Sequence, residues 1–265
     1  MKTIKGIWRF SRVICYTFVC LFQAYTRFKH VDRKEKGRML RYYPTQVLKL
    51  AGVRCSYEGH VPELLHECGL TDTPPACLVL SNHVSWLDIF SLDSQLPSRF
   101  IAKAEIAKWP IFGLIAQQIG TLFINRSSKR AILRINDDIR GALCNCEAVT
   151  IFAEGTTTFG NELLPIKANF IAPVCEIGAT VQPVILSYKN KGKPTKQAAF
   201  SGDVTLFGSL WNVVTMEDAE VVVHFLEPIT NTKDLTRHEV AKICEERMRA
   251  KLQEIWGDEY IANDA

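Results

Sequence analysis

The chain has 265 residues, of which 47% are hydrophobic and 23% are charged, and its formal net charge at pH 7 is +4. This length accommodates one substantial domain, or a domain with a short appendage, and allows a sizeable core. The charge is mild and no RNA- or DNA-reading motif accompanies it, so we expect no nucleic acid partner. No apolar stretch approaches the length of a full membrane span.

The first 50 residues place aromatic side chains around a short apolar segment. Residues 13–26 carry no charge, but a perpendicular membrane helix needs about 20 apolar residues, so the segment is too short for a standard span. Aromatic side chains suited to a membrane interface lie in and around it: Trp8, Phe10, Tyr16, Phe18, Phe22, Tyr25 and Phe28. We predict that residues 1–50 form a membrane-associated helical region, with one helix in a single leaflet and a second over residues 35–50.

Basic residues flank the apolar segment on both sides. They are Lys2, Lys5, Arg9 and Arg12 before it, and Arg27, Lys29, Arg33, Lys34, Lys36, Arg38 and Arg41 after it. Each cation near an anionic lipid surface contributes about 1 kcal/mol of attraction, although such residues also form ordinary solvated faces. We therefore predict monotopic attachment to membrane lipids, on the cytoplasmic face of the inner membrane.

Residues 51–265 alternate between strand-like and helix-like patterns. Strands are predicted over residues 53–57, 78–81, 99–102, 121–124, 148–153, 180–187 and 220–226, with a polar loop over 62–75. Helices are predicted over residues 86–95, 110–118 with Pro110 in the first turn, 128–144, 168–177, and from a capping box at 236–239 to residue 256. This alternation indicates an α/β domain with a mainly parallel sheet flanked by helices.

A histidine and an aspartate follow the second predicted strand. Residues 82–88 read Asn-His-Val-Ser-Trp-Leu-Asp. A carboxylate that binds one imidazole nitrogen leaves the other nitrogen able to accept a hydroxyl proton. Five residues along a helix turn the chain by about 140°, so His83 and Asp88 can meet only if His83 lies in a loop before the helix. Asn82 is a good cap residue and is expected to support that arrangement.

Four sequence blocks in one order resemble the glycerolipid acyltransferases, the family of bacterial 1-acylglycerol-3-phosphate acyltransferases. Residues 82–88 match its Asn-His-x-x-x-x-Asp signature, and residues 120–126 (Gly-Thr-Leu-Phe-Ile-Asn-Arg) match Gly-x-x-Phe-x-x-Arg. Residues 153–157 (Ala-Glu-Gly-Thr-Thr) correspond to the usual Pro-Glu-Gly-Thr-Arg, and residues 181–186 (Val-Gln-Pro-Val-Ile-Leu) to an apolar strand that contains a proline.

Two substitutions distinguish the third block from the family pattern. Ala153 stands where proline is usual, and Thr157 stands where the family has an arginine that helps to hold the acceptor phosphate. A threonine hydroxyl does not replace a planar cation with several donors. This form of the block, followed by Leu-Pro-Ile-Lys at residues 164–167, also resembles the lyso-ornithine-lipid acyltransferases.

The resemblance implies transfer of a fatty acyl group from acyl-CoA or acyl-carrier protein to the free hydroxyl of a lysolipid. The acceptor it favours is 1-acylglycerol-3-phosphate, with lyso-ornithine lipid as the alternative. His83 would act as the base and Asp88 would orient it. The residues implied to bind substrate are Arg126, Glu154, Gly155, Thr156, Lys167 and Gly120, with backbone donors near Gly120 or Gly155 stabilising the oxyanion. No metal or further cofactor is expected.

Two other classes of function remain open at this point. A lipid hydrolase or thioesterase would use water, serine or cysteine as nucleophile, but the chain contains no Gly-x-Ser-x-Gly elbow. A membrane-binding protein with a decayed site would not need both His83 and Asp88. Both alternatives predict no acyl transfer to a lysolipid.

Overall fold

A computed structural model describes residues 2–59, 77–125 and 129–262. The α-helices are α1 (Lys2–Thr26), α2 (Arg33–Ala51), α3 (Leu87–Gln95), α4 (Phe112–Gln118), α5 (Lys129–Cys144), α6 (Ala172–Ile177), α7 (Leu206–Val214) and α8 (Arg237–Trp256). The strands are β1 (Val53–Gly59), β2 (Cys77–Ser81), β3 (Arg99–Lys103), β4 (Leu122–Ile124), β5 (Val149–Phe152), β6 (Thr180–Asn190), β7 (Lys193–Pro194) and β8 (Ala219–Phe225).

The strands form one mixed sheet in the order β1-β8-β6-β2-β5-β3-β4, with β7 paired to β6. The pairs β1–β8, β2–β5, β2–β6, β3–β4 and β3–β5 are parallel, whereas β6 is antiparallel to both β7 and β8. This arrangement confirms the predicted α/β class with a mainly parallel sheet flanked by helices. The central strands β2 and β5 are fully buried, as strands covered on both faces are expected to be.

Helices cover both faces of the sheet and create two hydrophobic clusters. One cluster joins the sheet to α5, α6 and α8 through residues such as Ile139, Val174 and Leu252. The other joins it to α1, α2, α3 and α7 through residues such as Val47 and Leu210. Alternate residues of β2 serve opposite faces: Leu78 and Leu80 belong to the first cluster, Cys77 and Val79 to the second.

The N-terminal helix α1 is tied to the domain by a buried arginine. Arg9 donates from Nη1 to the carbonyls of Val214 and Met216, each at 3.1 Å. Its guanidinium lies against Gly52, where a Cβ atom would meet Arg9 Cζ at 2.1 Å and where φ is +77°. Glycine at position 52 therefore both ends α2 and leaves room for the Arg9 side chain.

The outward side of α1 exposes large hydrophobic residues in both halves of the helix. Its exposed large hydrophobic residues are Ile4, Ile7, Trp8, Phe18, Val19, Phe22 and Tyr25. The helix begins well before the uncharged segment 13–26 from which a helix was predicted, so basic residues occupy its first turns. Within the described residues, every helix is too short or too polar to cross a bilayer.

Several predicted elements differ from those observed. Pro110 precedes α4, which begins only at Phe112, because Ile111 has a φ of 64° that interrupts the helix. The helix predicted over residues 168–177 is divided into a 3₁₀ helix (Ala168–Phe170) and α6, with a proline in the first turn of α6. Helix α7 and strand β7 were not predicted, and the loop predicted over 62–75 lies outside the described residues.

Candidate active site

His83 lies in the loop between β2 and α3 and faces Asp88 in the first turn of α3. Its Nδ1 is 2.7 Å from Asp88 Oδ2. Since α3 begins only at Leu87, the predicted geometry, with the histidine in a loop before the helix, is confirmed. The His83 side chain is 21% exposed, whereas Asp88 is completely buried.

Four donors hold the Asp88 carboxylate. Besides His83, the backbone N–H groups of Val84 and Ser85 donate to Oδ2, at 2.7 and 2.9 Å. The Tyr188 hydroxyl donates to Oδ1 at 2.6 Å. A carboxylate that accepts all these bonds has no proton to donate, so His83 carries its proton on Nδ1. The lone pair of His83 Nε2 is then available to accept a proton from a substrate.

Asn82 does not cap the following helix, contrary to the expectation from sequence. Its Nδ2 donates to the carbonyl of Leu186 at 3.1 Å, and its Oδ1 accepts from the Leu186 N–H at 2.7 Å. Residue Trp86 occupies the cap position of α3 and makes no side-chain bond there. Asn82 is fully buried, so a strand neighbour satisfies its amide. It therefore fixes the loop to β6.

Aromatic rings support the His83 imidazole. The Phe152 ring stacks on it with a centroid distance of 3.9 Å and an interplanar angle of 9°. Phe100 stacks on Phe152 in turn, at 5.9 Å. The ring stack and the Asp88 bond together fix both the position and the plane of the imidazole.

Glu154 anchors the backbone of the histidine loop. Its Oε1 accepts from the His83 N–H at 2.9 Å and its Oε2 from the Leu164 N–H at 3.0 Å. Burial raises the pKa of Glu154 to about 7, while the two backbone donors oppose that shift by favouring the ionised form. His83 and Glu154, which follow the neighbouring strands β2 and β5, therefore meet at one edge of the sheet. Glu154 lies behind the loop, and it is not among the described residues that line the adjacent cavity.

An apolar cavity of about 800 Å³ opens beside His83. Its walls come from α1, α2, α3, β3, α4 and the 3₁₀ helix Ala104–Lys108, together with the histidine loop and residues 155–157. Phe152, Phe100, Ile89 and Val47 are among the side chains on its surface. Such a volume suits a long hydrocarbon chain, with the free nitrogen of His83 at the cavity wall.

The residues of the third block lie at this cavity, but not all in the expected roles. Gly155 and Thr156 line it, and their role in binding substrate stays a prediction. The Gly155 N–H, however, donates to the Phe152 carbonyl at 3.1 Å and so is already used within a turn. Thr157 also lines the cavity, and its hydroxyl donates to the Phe200 carbonyl at 2.5 Å.

Two of the other predicted substrate-binding residues, Lys167 and Gly120, are not brought to the cavity. Lys167 is exposed and Gly120 follows α4, and neither belongs to the described residues that line the cavity. Gly120 has a φ of +88°, a conformation that favours glycine, so its backbone accounts for the residue type. Arg126 lies outside the described residues.

Two residues of the site were missed in the sequence analysis, Tyr188 and Phe152. Phe152 stands in the predicted strand 148–153, where an aromatic residue has the same pattern as any core residue. Tyr188 follows the predicted strand 180–187 directly, and a buried tyrosine hydroxyl requires a partner. That requirement was the available signal, but it does not identify Asp88 as the partner.

Within the part of the chain that the structure describes, no group of three or more histidine, cysteine, aspartate or glutamate residues is placed to hold a metal ion.

Comparisons with known proteins agree on one family. Residues 62–187 match the family model described as Acyltransferase. A 1-acyl-sn-glycerol-3-phosphate acyltransferase of Neisseria gonorrhoeae is 39% identical over 178 residues, covering 67% of this chain and 69% of the relative. A lyso-ornithine lipid O-acyltransferase of Rhizobium meliloti is 32% identical over 237 residues, covering 84% of this chain and 78% of the relative.

A solved structure has the same fold. It is the 1-acyl-sn-glycerophosphate acyltransferase PlsC from Thermotoga maritima, with a TM-score of 0.69, 18% sequence identity, and coverage of 97% of this chain and 98% of the other. At this identity the likeness concerns the fold alone, and it includes the N-terminal helices because nearly the whole chain is matched.

Proposed function

The chain belongs to the acyltransferase family, and from that premise we propose that it transfers a fatty acyl group from a thioester to the free hydroxyl of 1-acylglycerol-3-phosphate, giving phosphatidic acid. The observation that carries the proposal is the His83–Asp88 pair at the wall of an apolar cavity of about 800 Å³. The pair suits a proton transfer, and the cavity suits an acyl chain.

The reaction uses His83 as a general base. Nε2 takes the proton of the acceptor hydroxyl, and the hydroxyl oxygen attacks the thioester carbonyl carbon directly, without an acyl-enzyme. The tetrahedral intermediate then collapses as the C–S bond breaks, and the imidazolium returns its proton to the leaving sulfur. Asp88 stabilises the imidazolium through the bond to Nδ1, at 2.7 Å.

Burial of the acyl chain places the thioester beside the base. A chain bound among Ile89, Phe100 and Val47 leaves its carbonyl end at His83, because these residues and His83 line one continuous cavity. Holding the two reacting groups in this geometry lowers the entropic cost of the reaction. The donor in this proposal is acyl-CoA or acyl-carrier protein, and no further cofactor takes part.

A second acceptor, lyso-ornithine lipid, is favoured by the residue at position 157. Thr157 lines the cavity but donates its hydroxyl to the Phe200 carbonyl, so it contributes no positive charge for a phosphate. The curated relatives include enzymes named for both acceptors. With 1-acylglycerol-3-phosphate as acceptor, the phosphate would be held by cations elsewhere, and Arg126 is the first candidate.

We also propose that the protein is a peripheral membrane protein of the cytoplasmic face, in which α1 lies in one leaflet. The exposed apolar stripe of α1, from Ile4 to Tyr25, supports this placement. Both the lysolipid acceptor and the product would then lie in the same leaflet as the cavity that α1 helps to form.

The test offers labelled acyl thioester with 1-acylglycerol-3-phosphate and lyso-ornithine lipid side by side to the purified protein. Labelled phosphatidic acid is the expected product. Preference for lyso-ornithine lipid would establish the second acceptor and connect it with Thr157. Release of free fatty acid without transfer to either acceptor would contradict the proposal and indicate a hydrolase.

A further inference from the structure

Helix α7 presents large apolar side chains on its outer face. Ser209, Leu210 and Val213 face the core and are buried, whereas Phe207 is 63% exposed and Trp211 36% exposed. These two are four residues apart, so they lie one turn above the other on the same side of the helix. Single exposed hydrophobic residues are common on protein surfaces, whereas contiguous groups of them mark interaction sites.

α7 and α1 pack as one unit. The Phe10 ring of α1 contacts Phe207 and Trp211, with centroid distances of 6.4 and 6.2 Å. The Arg9 guanidinium donates to the carbonyl of Val214, the last residue of α7, and to that of Met216 just after it. Gly6 faces Trp211, and a Cβ at position 6 would come within 2.8 Å of Thr215. Because these contacts lock the two helices together, their outer faces form a single surface.

We propose that α7 is a membrane-contacting element that rests with α1 on an anionic lipid leaflet. This surface, called here the two-helix face, comprises the exposed apolar residues of α1 with Phe207 and Trp211 of α7. It extends the membrane role proposed for α1 to a part of the chain about 200 residues later, and it rests on that proposed role.

The chemistry of the two-helix face fits a lipid surface better than a protein. Tryptophan, tyrosine and phenylalanine are the side chains that favour the boundary between lipid and water. Lys5 is exposed beside the apolar residues, and the Arg12 guanidinium lies 3.9 Å from the Trp8 ring centroid. Cations of this kind attract anionic headgroups.

The position of the cavity supports the same conclusion. Leu206 at the start of α7, Ala24 of α1 and Phe28 just after α1 line the cavity beside His83. A leaflet that contacts both helices would therefore lie next to the walls through which an acyl chain and a lysolipid reach the base.

The test compares Phe207→Ser with Leu133→Ser. Leu133 is a matched control because it is 67% exposed and lies on α5, on the opposite side of the sheet. Binding to vesicles of phosphatidylcholine and phosphatidylglycerol in equal amounts is measured by co-sedimentation of the full-length proteins. We expect Phe207→Ser to weaken binding about tenfold, the effect of removing one partly buried aromatic side chain, and Leu133→Ser to leave it unchanged.

The remaining outcomes also decide the question. Equal vesicle binding by Phe207→Ser and wild type would overturn the inference. A change from dimer in wild type to monomer in Phe207→Ser, measured by light scattering and without weaker vesicle binding, would also overturn it, because the face would then join two copies of the protein. Thermal unfolding checks the fold, and Trp211→Ser, at the other exposed aromatic position of α7, repeats the test if Phe207→Ser unfolds. Acyl transfer to monodisperse short-chain substrates, which requires no vesicle binding, is measured separately. Absence of transfer by the wild-type protein would count against the proposed activity, whereas the vesicle-binding result alone decides this inference.

A second inference rests on a different observation, the bond from Tyr188 to Asp88. We infer that Tyr188 is a positioning residue for the His83–Asp88 pair. Its hydroxyl binds Asp88 Oδ1 at 2.6 Å, and the residue is 3% exposed, so no solvent replaces the bond. With Oδ1 held by Tyr188, the carboxylate directs Oδ2 to His83 and to the two backbone N–H groups of the loop.

Replacing Tyr188 by phenylalanine tests this role. The Asp88 carboxylate would lose one donor and bind the imidazolium more strongly, so the acidic limb of the kcat/KM profile should move to higher pH. We expect kcat to fall about tenfold with KM unchanged. Tyr57→Phe is the control, because Tyr57 is 46% exposed on β1. A variant with lower thermal stability but the wild-type pH profile and kcat would show that Tyr188 is only a core residue.

Discussion

The two faces of the central sheet differ in what covers them. The face under α5, α6 and α8 is filled with aliphatic side chains such as Ile139, Val174 and Leu252, all fully buried. The face under α1, α2, α3 and α7 contains the His83 loop, the cavity of about 800 Å³ and helices with exposed apolar residues. We call them the closed face and the open face.

The difference shows how one sheet separates stability from function. Close packing on the closed face stabilises the fold, because every gap between side chains would remove contacts. The open face leaves a large space between its helices, and its covering helices also carry apolar groups on the outside. Substitutions on the closed face should therefore change stability, whereas substitutions on the open face should change activity.

His83→Ala on the open face should have the largest effect on activity. Loss of the general base is expected to lower kcat by between about 10²- and 10⁴-fold, the usual contribution of such a group. Steady-state transfer assays with circular dichroism would show an inactive but folded protein. His238→Ala is the control, since His238 is exposed on α8. Full turnover in the His83 variant would remove this residue from the mechanism.

Leu252→Ala should show the opposite pattern on the closed face. Leu252 is fully buried, and truncation of such a side chain costs about 2–5 kcal/mol of stability because a cavity is left behind. Urea unfolding would measure this loss, and kcat per folded molecule should stay at the wild-type value. A large fall in kcat with unchanged stability would contradict the separation of the two faces.

Glu154→Gln tests the edge at which the histidine loop is attached. Glutamine offers one acceptor to two backbone N–H groups, so we expect a loss of about 1–3 kcal/mol of stability. The pKa of Glu154 is about 7 in the folded protein, above its ordinary 4.5. The folded state thus binds more protons between these values, and the wild-type free energy of unfolding should fall as pH rises through this range.

Urea unfolding of both proteins at several pH values between about 5 and 8 would measure this dependence. The fall should be missing in the glutamine variant, so the stability difference between the two proteins should decrease toward higher pH. A constant difference across the range would mean that Glu154 does not titrate there.

Ile89→Trp should fill part of the cavity on the open face. Ile89 lies on its wall, and a larger ring there removes space for methylene groups. We expect kcat/KM to fall about tenfold for long-chain thioesters and to stay unchanged for short-chain ones. A difference of a few methylene groups in an apolar pocket changes kcat/KM by about this factor. An equal fall for all chain lengths would indicate general damage to the site.

Local patterns predicted much of the fold and part of the site. The strand at Val53 and the capping box at Thr236 depend on neighbouring residues only, and the structure contains both. The meeting of His83 with Asp88 was predicted because their separation is five residues. In such cases the interacting groups are close in sequence, and backbone geometry restricts where they can lie.

Interactions between distant parts of the chain were not predictable in the same way. Tyr188 binds Asp88 across 100 residues, and Asn82 binds Leu186 across 104, so the expected cap at Asn82 was wrong. Helix α7 was missed because a run of only nine, mostly apolar residues cannot be told from a buried strand by its period alone. Lys167 was expected near the substrate, yet it is exposed and is not among the described residues that line the cavity. Its position depends on the path of the preceding residues 155–165, which a local sequence pattern does not determine.

The Arg9 contacts have a consequence for protein synthesis. Arg9 and its partner Val214 are 205 residues apart, so a ribosome that adds about 5–20 residues per second makes α1 roughly 10–40 s before α7. During that interval the part of the domain that packs against α1 is incomplete, so apolar side chains of α1 are not yet covered by protein. With the proposed membrane role of α1, a nascent chain near a bilayer would meet lipid before it meets α7, and delivery to the membrane would precede completion of the enzyme.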